Sequence, residues 1–210
     1  MRIDPAGFPF VVLAAAPAVV SALWAPSGLT LALLVLPIAV ALFFRDPDRS
    51  PPAGARLVLA PADGTVMFAG EARSEETPPG AWRQVSIFLS VLDVHINRTP
   101  VAGRVTRVDY HPGTFLPAYR HDAHRNERSE IWLDAGGVPI VVRQIVGMLA
   151  RRVVCRVKAG ETVAAGDRIG LMKFGSRMDV FVPIDATLTV TKGDRVTAGE
   201  TVIARLATTA

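Results

Sequence analysis

The chain has 210 residues, half of them hydrophobic and 20% charged, which is too long for a stapled mini-protein and too apolar for a disordered chain. Its single cysteine, Cys155, excludes an intramolecular disulfide framework and any cysteine-cluster metal site, and fits a reducing compartment. A net charge of +4 suits an anionic partner, nucleic acid or an acidic membrane surface, and 7% aromatic residues do not favour the first.

The apolar excess lies at the front. Residues 8–44 carry no charged side chain, and Trp24-Ala25-Pro26-Ser27-Gly28 divides them into two runs, 8–24 and 28–44. Each is at the short end of the roughly 17 to 25 residues that cross a bilayer as helix, so a tight helical hairpin or a re-entrant pair is expected. Pro17 and Pro37 interrupt the runs, as lipid-embedded helices tolerate when a neighbour satisfies the freed carbonyl. A cleaved signal peptide is the alternative, weakened by the lone Arg2 in the region before the run.

Arg45-Asp46-Pro47-Asp48-Arg49-Ser50-Pro51-Pro52 follows, its arginines favouring the cytoplasmic side and its prolines stiffening the exit. The expected division is therefore a membrane-associated hairpin over 1–44, a linker over 45–56 and a soluble domain over 57–210.

From residue 57 the chain reads as brief β-rich runs split by Gly, Pro and Asp: 57–60, 64–70, 84–90, 103–110, 130–135 and 138–147. A short helical turn is expected at 118–126. Residues 160–169 (GETVAAGDRI) and 193–202 (GDRVTAGETV) repeat one pattern, read as a β-hairpin used twice, with glycines at tight turns and Val163, Ile169, Val196 and Val202 at buried strand positions. The expected fold class is mainly β (α+β) behind an N-terminal helical hairpin. The repeat resembles the flattened barrel of biotinyl and lipoyl carrier domains. Leu171-Met172-Lys173-Phe174 stands between its halves, where such carriers hold their modified lysine, so modification at Lys173 is a rival reading. A membrane-anchored structural β-domain, with Ser176 a mere turn residue, is a third.

Phe174-Gly175-Ser176-Arg177-Met178-Asp179-Val180-Phe181 resembles the self-cleavage segment of phosphatidylserine decarboxylase proenzymes of the short bacterial and archaeal type. Other segments resemble that family in the same order: Arg45-Asp46-Pro47, Ala60-Pro61-Ala62-Asp63-Gly64, residues 87–98 ending His95-Ile96-Asn97-Arg98, Pro100-Val101-Ala102-Gly103, Asn126-Glu127-Arg128 and Gly147-Met148-Leu149-Ala150-Arg151-Arg152. The resemblance spans nearly the whole chain.

It implies a lyase that converts phosphatidylserine to phosphatidylethanolamine and carbon dioxide. Decarboxylating an α-amino acid leaves a carbanion that needs a carbonyl, joined to the amine as a Schiff base, to take up the electrons. The chain lacks an evident pyridoxal-phosphate architecture, and Lys158, Lys173 and Lys192 are its only lysines. The family's answer is a pyruvoyl group made from the chain itself. The Ser176 hydroxyl attacks the Gly175 carbonyl, the ester undergoes β-elimination, and loss of ammonia leaves a pyruvoyl at the new N-terminus of the small chain, residues 176–210, beside the large chain, 1–175. Gly175 lets the hydroxyl approach and the turn adopt a strained geometry.

A nucleophilic serine also needs a base. The resemblance carries over Asp63 as orienter and His95 as acid or base, either for self-cleavage or to protonate the carbanion. Arg98 stands where larger family members have a second histidine, and Arg177 where they have threonine. A buried structural histidine is the alternative for His95.

His111, His121 and His124 lie in a polar run, 110–128, read equally as a substrate-side loop or a solvated one. Their spacing matches no metal motif, so no metal is expected. Asn126-Glu127-Arg128 supports the site by hydrogen bonding or forms a loop salt bridge. Arg151, Arg152, Arg156 and Lys158 face acidic headgroups or one solvated side of a strand. The expected partners are the phosphatidylserine substrate, an anionic membrane and the two cleavage chains, without nucleic acid and with a homo-oligomer left open. The expected location is the cell membrane, catalytic domain on the cytoplasmic side.

Overall fold

The computed structural model describes residues 2–24, 26–72, 77–148, 153–173 and 175–207. Arg151, Arg152 and Phe174 of the sequence reading lie outside the described residues, as does the side chain of His121. The chain forms two compact units, Met1–Asp48 and Arg49–Ala210.

The first unit is helical. Helix α1 (Phe8–Trp24) is followed by α2 (Ser27–Leu33) and α3 (Val35–Phe43), which pack back against it. Ser21, buried in the apolar run, is satisfied by bonds to the Ala18 carbonyl (2.9 Å) and the Thr30 hydroxyl (3.0 Å), which also tie α1 to α2. Strand β1 (Arg2–Ile3) pairs antiparallel with β2 (Arg45–Asp46), so the two ends of the hairpin lie side by side. Arg45 and Asp46, read from sequence as the start of a linker, thus belong to this closure. Ring stacking of Phe10 on Phe44, centroids 5.4 Å apart, packs the same end. The outward side chains are apolar, Trp24 being 88% exposed and Leu13 73%. Pro5–Trp24 is a helical stretch of 20 residues with mean hydropathy 2.0, long and apolar enough to cross a membrane; the return, Ser27–Phe43, is shorter.

The second unit is mainly β, and all six predicted strand runs appear. An antiparallel sheet of eight strands runs in the order β11 (Thr162–Val163), β7 (Gly103–His111), β8 (Arg128–Asp134), β9 (Pro139–Ile145), β13 (Ser176–Pro183), β5 (Trp82–Leu89), β4 (Gly64–Glu71) and β15 (Arg195–Val196). Two three-stranded sheets accompany it: β10 (Val154–Cys155) with β12 (Arg168–Leu171) and β6 (Ile96–Arg98), and β14 (Thr187–Leu188) with β16 (Val202–Arg205) and β3 (Leu57–Leu59). The expected helical turn is a short 3-10 helix, His121–Arg125.

The eight-stranded sheet curls around an apolar core. Period-2 alternation sends Val85, Ile87, Ile131, Leu133, Ile140, Val142, Met178 and Val180 into it, each buried side chain worth roughly 1.5–3 kcal/mol. The opposite face of the same strands is polar but also buried. Arg177 makes two bonds to Asp179 (2.7 and 2.8 Å), and Arg143 pairs with Glu130, which also accepts from Trp132 Nε1 at 2.8 Å. Charges this buried persist because each meets its counter-ion.

The repeat seen in the sequence is real in the backbone, but it is not a hairpin, because the two strands of each copy do not pair with each other. In one copy Gly160 N–H donates to Val105 O (2.7 Å) and Val105 N–H to Glu161 O (2.8 Å). In the other Gly193 N–H donates to Val66 O (2.8 Å) and Val66 N–H to Asp194 O (2.9 Å). Gly166 and Gly199 likewise donate to Thr99 O and Ala60 O.

The duplication is larger than those ten residues. Strands β3 and β4 correspond to β6 and β7, and the large sheet reads the same from either edge, β11-β7-β8-β9 matching β15-β4-β5-β13. One copy, β6 to β12, is inserted into the other between β5 and β13, and the halves meet where Gly166 and Gly199 approach each other.

Candidate active site

Ser176 opens β13, at the middle of the large sheet. It is fully buried, stands opposite Leu89 at the end of β5, and its Oγ donates to the Lys173 carbonyl at 3.4 Å. Gly175 has φ +68°, a conformation that favours glycine. Outside its chain neighbours, nothing among the described residues lies within 4 Å of the position a Cβ would take. The requirement for glycine is therefore conformational rather than a matter of room.

His95 is fully buried just before β6. Pairing of β6 with β12 sets it beside the segment leading to Ser176, with Met172 N–H donating to His95 O at 3.3 Å. Its Nδ1 is 2.8 Å from the Asp93 carbonyl oxygen. A carbonyl only accepts, so Nδ1 carries the proton, and in the neutral ring Nε2 keeps the lone pair a base requires.

The loop that presents this imidazole is clamped. Asp93 accepts from Arg195 (2.6 Å) and from the Ser90 amide (2.8 Å). Burial would raise the Asp93 pKa, but the bonds from Arg195 and Ser90 outweigh it and hold the carboxyl below the usual range.

Two further residues join the site that the sequence reading gave no role. Asn97 Nδ2 donates to His95 O (3.4 Å), and Gln144 Nε2 donates to Asn97 Oδ1 (2.8 Å), all of them buried. Gln144 is opposite Met178, two residues into the strand that Ser176 opens. A signal for Gln144 is present in the sequence: it shares the core face of β9 with Ile140 and Val142, where a polar side chain requires a reason.

Asp63 lies elsewhere in the hydrogen-bond scheme. One carboxylate oxygen pairs with Arg49 (2.7 Å) and the other accepts from the Ala198 amide (2.8 Å). Arg98, at the family's second histidine position, donates to Gly166 O (2.9 Å) where the repeats meet.

In the 110–128 run, Asn126 uses both ends of its amide. It donates to Leu116 O and Val146 O and accepts from Leu116 N–H and the Thr114 hydroxyl, so it pins the loop to the end of β9. Glu127 accepts from Val153 N–H (3.4 Å), and Arg128 donates to His124 O (3.0 Å). Burial first, and the like charge of Arg143 second, lower the Arg128 pKa.

Ligand atoms of Asp109, His111 and Glu130 lie within 4.8 Å of one another, a grouping the sequence spacing does not reveal. Both carboxylates already pair with arginines, Asp109 with Arg107 (2.6 Å) and Glu130 with Arg143. Lys158 is exposed beside the Gly160 turn near Val105, toward the opposite end of the large sheet from Ser176.

Residues 36–204 match the family model described as phosphatidylserine decarboxylase. A phosphatidylserine decarboxylase proenzyme of Chlorobium phaeovibrioides (strain DSM 265 / 1930) is 47% identical over 169 residues, 80% of this chain and 77% of the relative. The chain belongs to the phosphatidylserine decarboxylase family. A proenzyme of that name from Geotalea uraniireducens (strain Rf4) is 43% identical across 94% of this chain and 93% of its own length. One from Anaplasma phagocytophilum (strain HZ) is 39% identical across 98% and 91%.

Within this family member three of the segments that resemble the family in sequence, 95–98, 126–128 and the one opening at Ser176, meet near one end of the sheet. The 95–98 strand runs beside the approach to Ser176, and Asn126 fixes Val146, next to Ile145, which is opposite Arg177.

Proposed function

We propose that this chain is a membrane-associated proenzyme that cleaves itself between Gly175 and Ser176 and decarboxylates phosphatidylserine to phosphatidylethanolamine. The observation that carries this is the Gly175–Ser176 junction: a left-handed glycine followed by a buried serine, four residues after Met172, whose amide bonds the backbone carbonyl of the buried His95, in a chain of this family.

The Ser176 hydroxyl is the nucleophile. Its oxygen bonds to the Gly175 carbonyl carbon as the Gly175–Ser176 C–N bond breaks, and the freed amine takes a proton. Elimination then removes the Ser176 α-proton and releases the Gly175 carboxylate. Hydrolysis of the resulting unsaturated amine releases ammonia and leaves the pyruvoyl group. With Nδ1–H committed to Asp93 O, His95 Nε2 is the base available in this buried site, and the same nitrogen, once protonated, returns a proton during turnover. Asp63 acts as an orienting group through Arg49 and the Ala198 amide rather than as a direct partner of the imidazole.

The fit of a pyruvoyl group rests on Ser176 being a chain terminus after cleavage, at a strand end whose preceding glycine leaves open space. When formed it supplies a carbonyl that condenses with the substrate amine and accepts the electrons released with carbon dioxide. The small chain stays bound because β13 lies between β5 and β9, while β15 pairs with β4 and β16 with β3 of the larger piece. The apolar hairpin, both ends together, anchors the protein with its catalytic unit on the cytoplasmic side.

Intact mass spectrometry of wild type beside Ser176→Ala tests this reading. The expected result is two chains, 1–175 and 176–210, the smaller lacking a free amine, and an unsplit variant. An unsplit, folded wild type overturns it, and an added mass on Lys173 in that case identifies the carrier reading instead.

A further inference from the structure

The end of the large sheet that holds Ser176 also holds the ends of β5 and β7, the start of β8 and the end of β9. Among the described residues of the second unit, the exposed large apolar side chains gather there. Val91 and Leu92 follow β5, Tyr110 is next to last in β7, Phe115 and Tyr119 occupy the next loop, and Met148 follows β9. Leu92 is 80% exposed, Tyr119 63% and Met148 56%.

The internal duplication supplies its own comparison. The opposite end of the sheet has corresponding strand ends, yet among the described residues Ile184 is the one large exposed apolar side chain there. There β8 turns into β9 through Gly136 and Gly137, without an apolar loop. Related halves that bury the same core need no such asymmetry for folding, so the rim answers to something outside the chain.

Charge agrees. Arg125 stands exposed in a loop of the rim, while the acids of those loops are engaged: Asp93 by Arg195, Asp122 by Arg120 and Glu127 by the Val153 amide. Exposed apolar and aromatic side chains beside a cation suit a lipid interface, where apolar tips enter the acyl boundary and cations meet anionic headgroups.

We propose that Val91-Leu92, Phe115, Tyr119 and Met148 form a second membrane contact, made by the catalytic unit itself, that sets the Ser176 end of the sheet against an anionic bilayer. The proposal rests on and deepens the decarboxylase reading, since it sets the end of the sheet that holds Ser176 at the surface where a bilayer lipid lies.

The test uses the full chain in a Cys155→Ala background with single cysteines at Leu92, Phe115, Met148, Ile184 and Leu31, each spin-labelled. Vesicles are phosphatidylcholine with a minority of phosphatidylglycerol, an anionic lipid that is not the substrate. The expected result is a severalfold rise in the oxygen-to-nickel accessibility ratio at 92, 115 and 148 on adding vesicles, with 184 unchanged and 31 reporting the hairpin. Aqueous values at the three rim sites while Leu31 reads lipid overturn the proposal, as do rim labels immobilised without a gain in oxygen access, which indicate protein contact. Hydrogen exchange of the unmodified chain gives a second reading, with slowed exchange at 90–94 and 114–120 on vesicle binding expected and unchanged exchange overturning it. A denaturing gel of each sample reports the split at 175/176 separately, so failure of the rim and failure of the decarboxylase reading are distinguished.

Discussion

His95 donates its Nδ1–H to the backbone carbonyl of Asp93 at 2.8 Å, while the Asp93 side chain is itself held by Arg195 at 2.6 Å. The imidazole is thus oriented by its own loop, and the loop by a residue of β15, which lies on the C-terminal side of the proposed cleavage point at Ser176.

That clamp predicts an acid dependence. The folded pKa of Asp93 is below its unfolded value of about 3.9, so its contribution to stability is complete above that pH and is lost as pH falls through the folded pKa. Asp93→Asn should therefore be less stable than wild type at neutral pH, with the gap closing below about pH 4. Arg195 is mostly exposed, so Arg195→Ala should cost only about 1 kcal/mol. Urea midpoints across pH check both.

Asn97→Ala should be worse than its size suggests. It strands the buried Gln144 amide and removes one of the bonds to the His95 carbonyl, which costs about 1–3 kcal/mol. Self-cleavage should slow more than stability falls, because the group disturbed carries the base. A time course of chain splitting beside thermal unfolding separates the two effects, and equal losses would leave Asn97 a purely structural residue.

Gly175→Ala should fold, since its Cβ enters open space, at a cost of roughly 1–2 kcal/mol for the left-handed backbone. Its cleavage should be markedly slower if the turn at φ +68° is the reactive geometry. Mass spectrometry of timed samples reads this directly.

Gly64 and Gly103 occupy corresponding places in the two halves. A Cβ on Gly64 would lie 2.1 Å from the Phe88 carbonyl oxygen, and one on Gly103 2.3 Å from that of Asp134. Alanine at either should force neighbouring strands apart and cost on the order of 3 kcal/mol or more, against about 1 kcal/mol at the open, left-handed Gly136. Calorimetry of the three variants gives the ranking.

Removing residues 1–44 should reduce activity on vesicles more than self-cleavage, because the hairpin belongs to one compact unit and Ser176 to the other. Equal loss of both would give the hairpin a folding role.

The sequence alone determined the local features: the apolar hairpin from its uncharged runs, six strands from alternation and turn residues, the repeat from its glycines, and Gly175–Ser176 from a family segment. Each is written in neighbouring residues, where periodicity and turn chemistry operate. Only the tertiary structure decided that the repeat is half of a larger duplication. The matching places in β3–β4 and β6–β7 agree chiefly through Pro61 and Pro100, Gly64 and Gly103, and Val66 and Val105. Backbone hydrogen bonds define a strand's partner, and they are made by atoms every residue shares. For the same reason Ser176 meeting Leu89, Asn97 meeting Gln144, and the apolar tips gathering at one end of the sheet are consequences of long-range pairing that no local pattern carries.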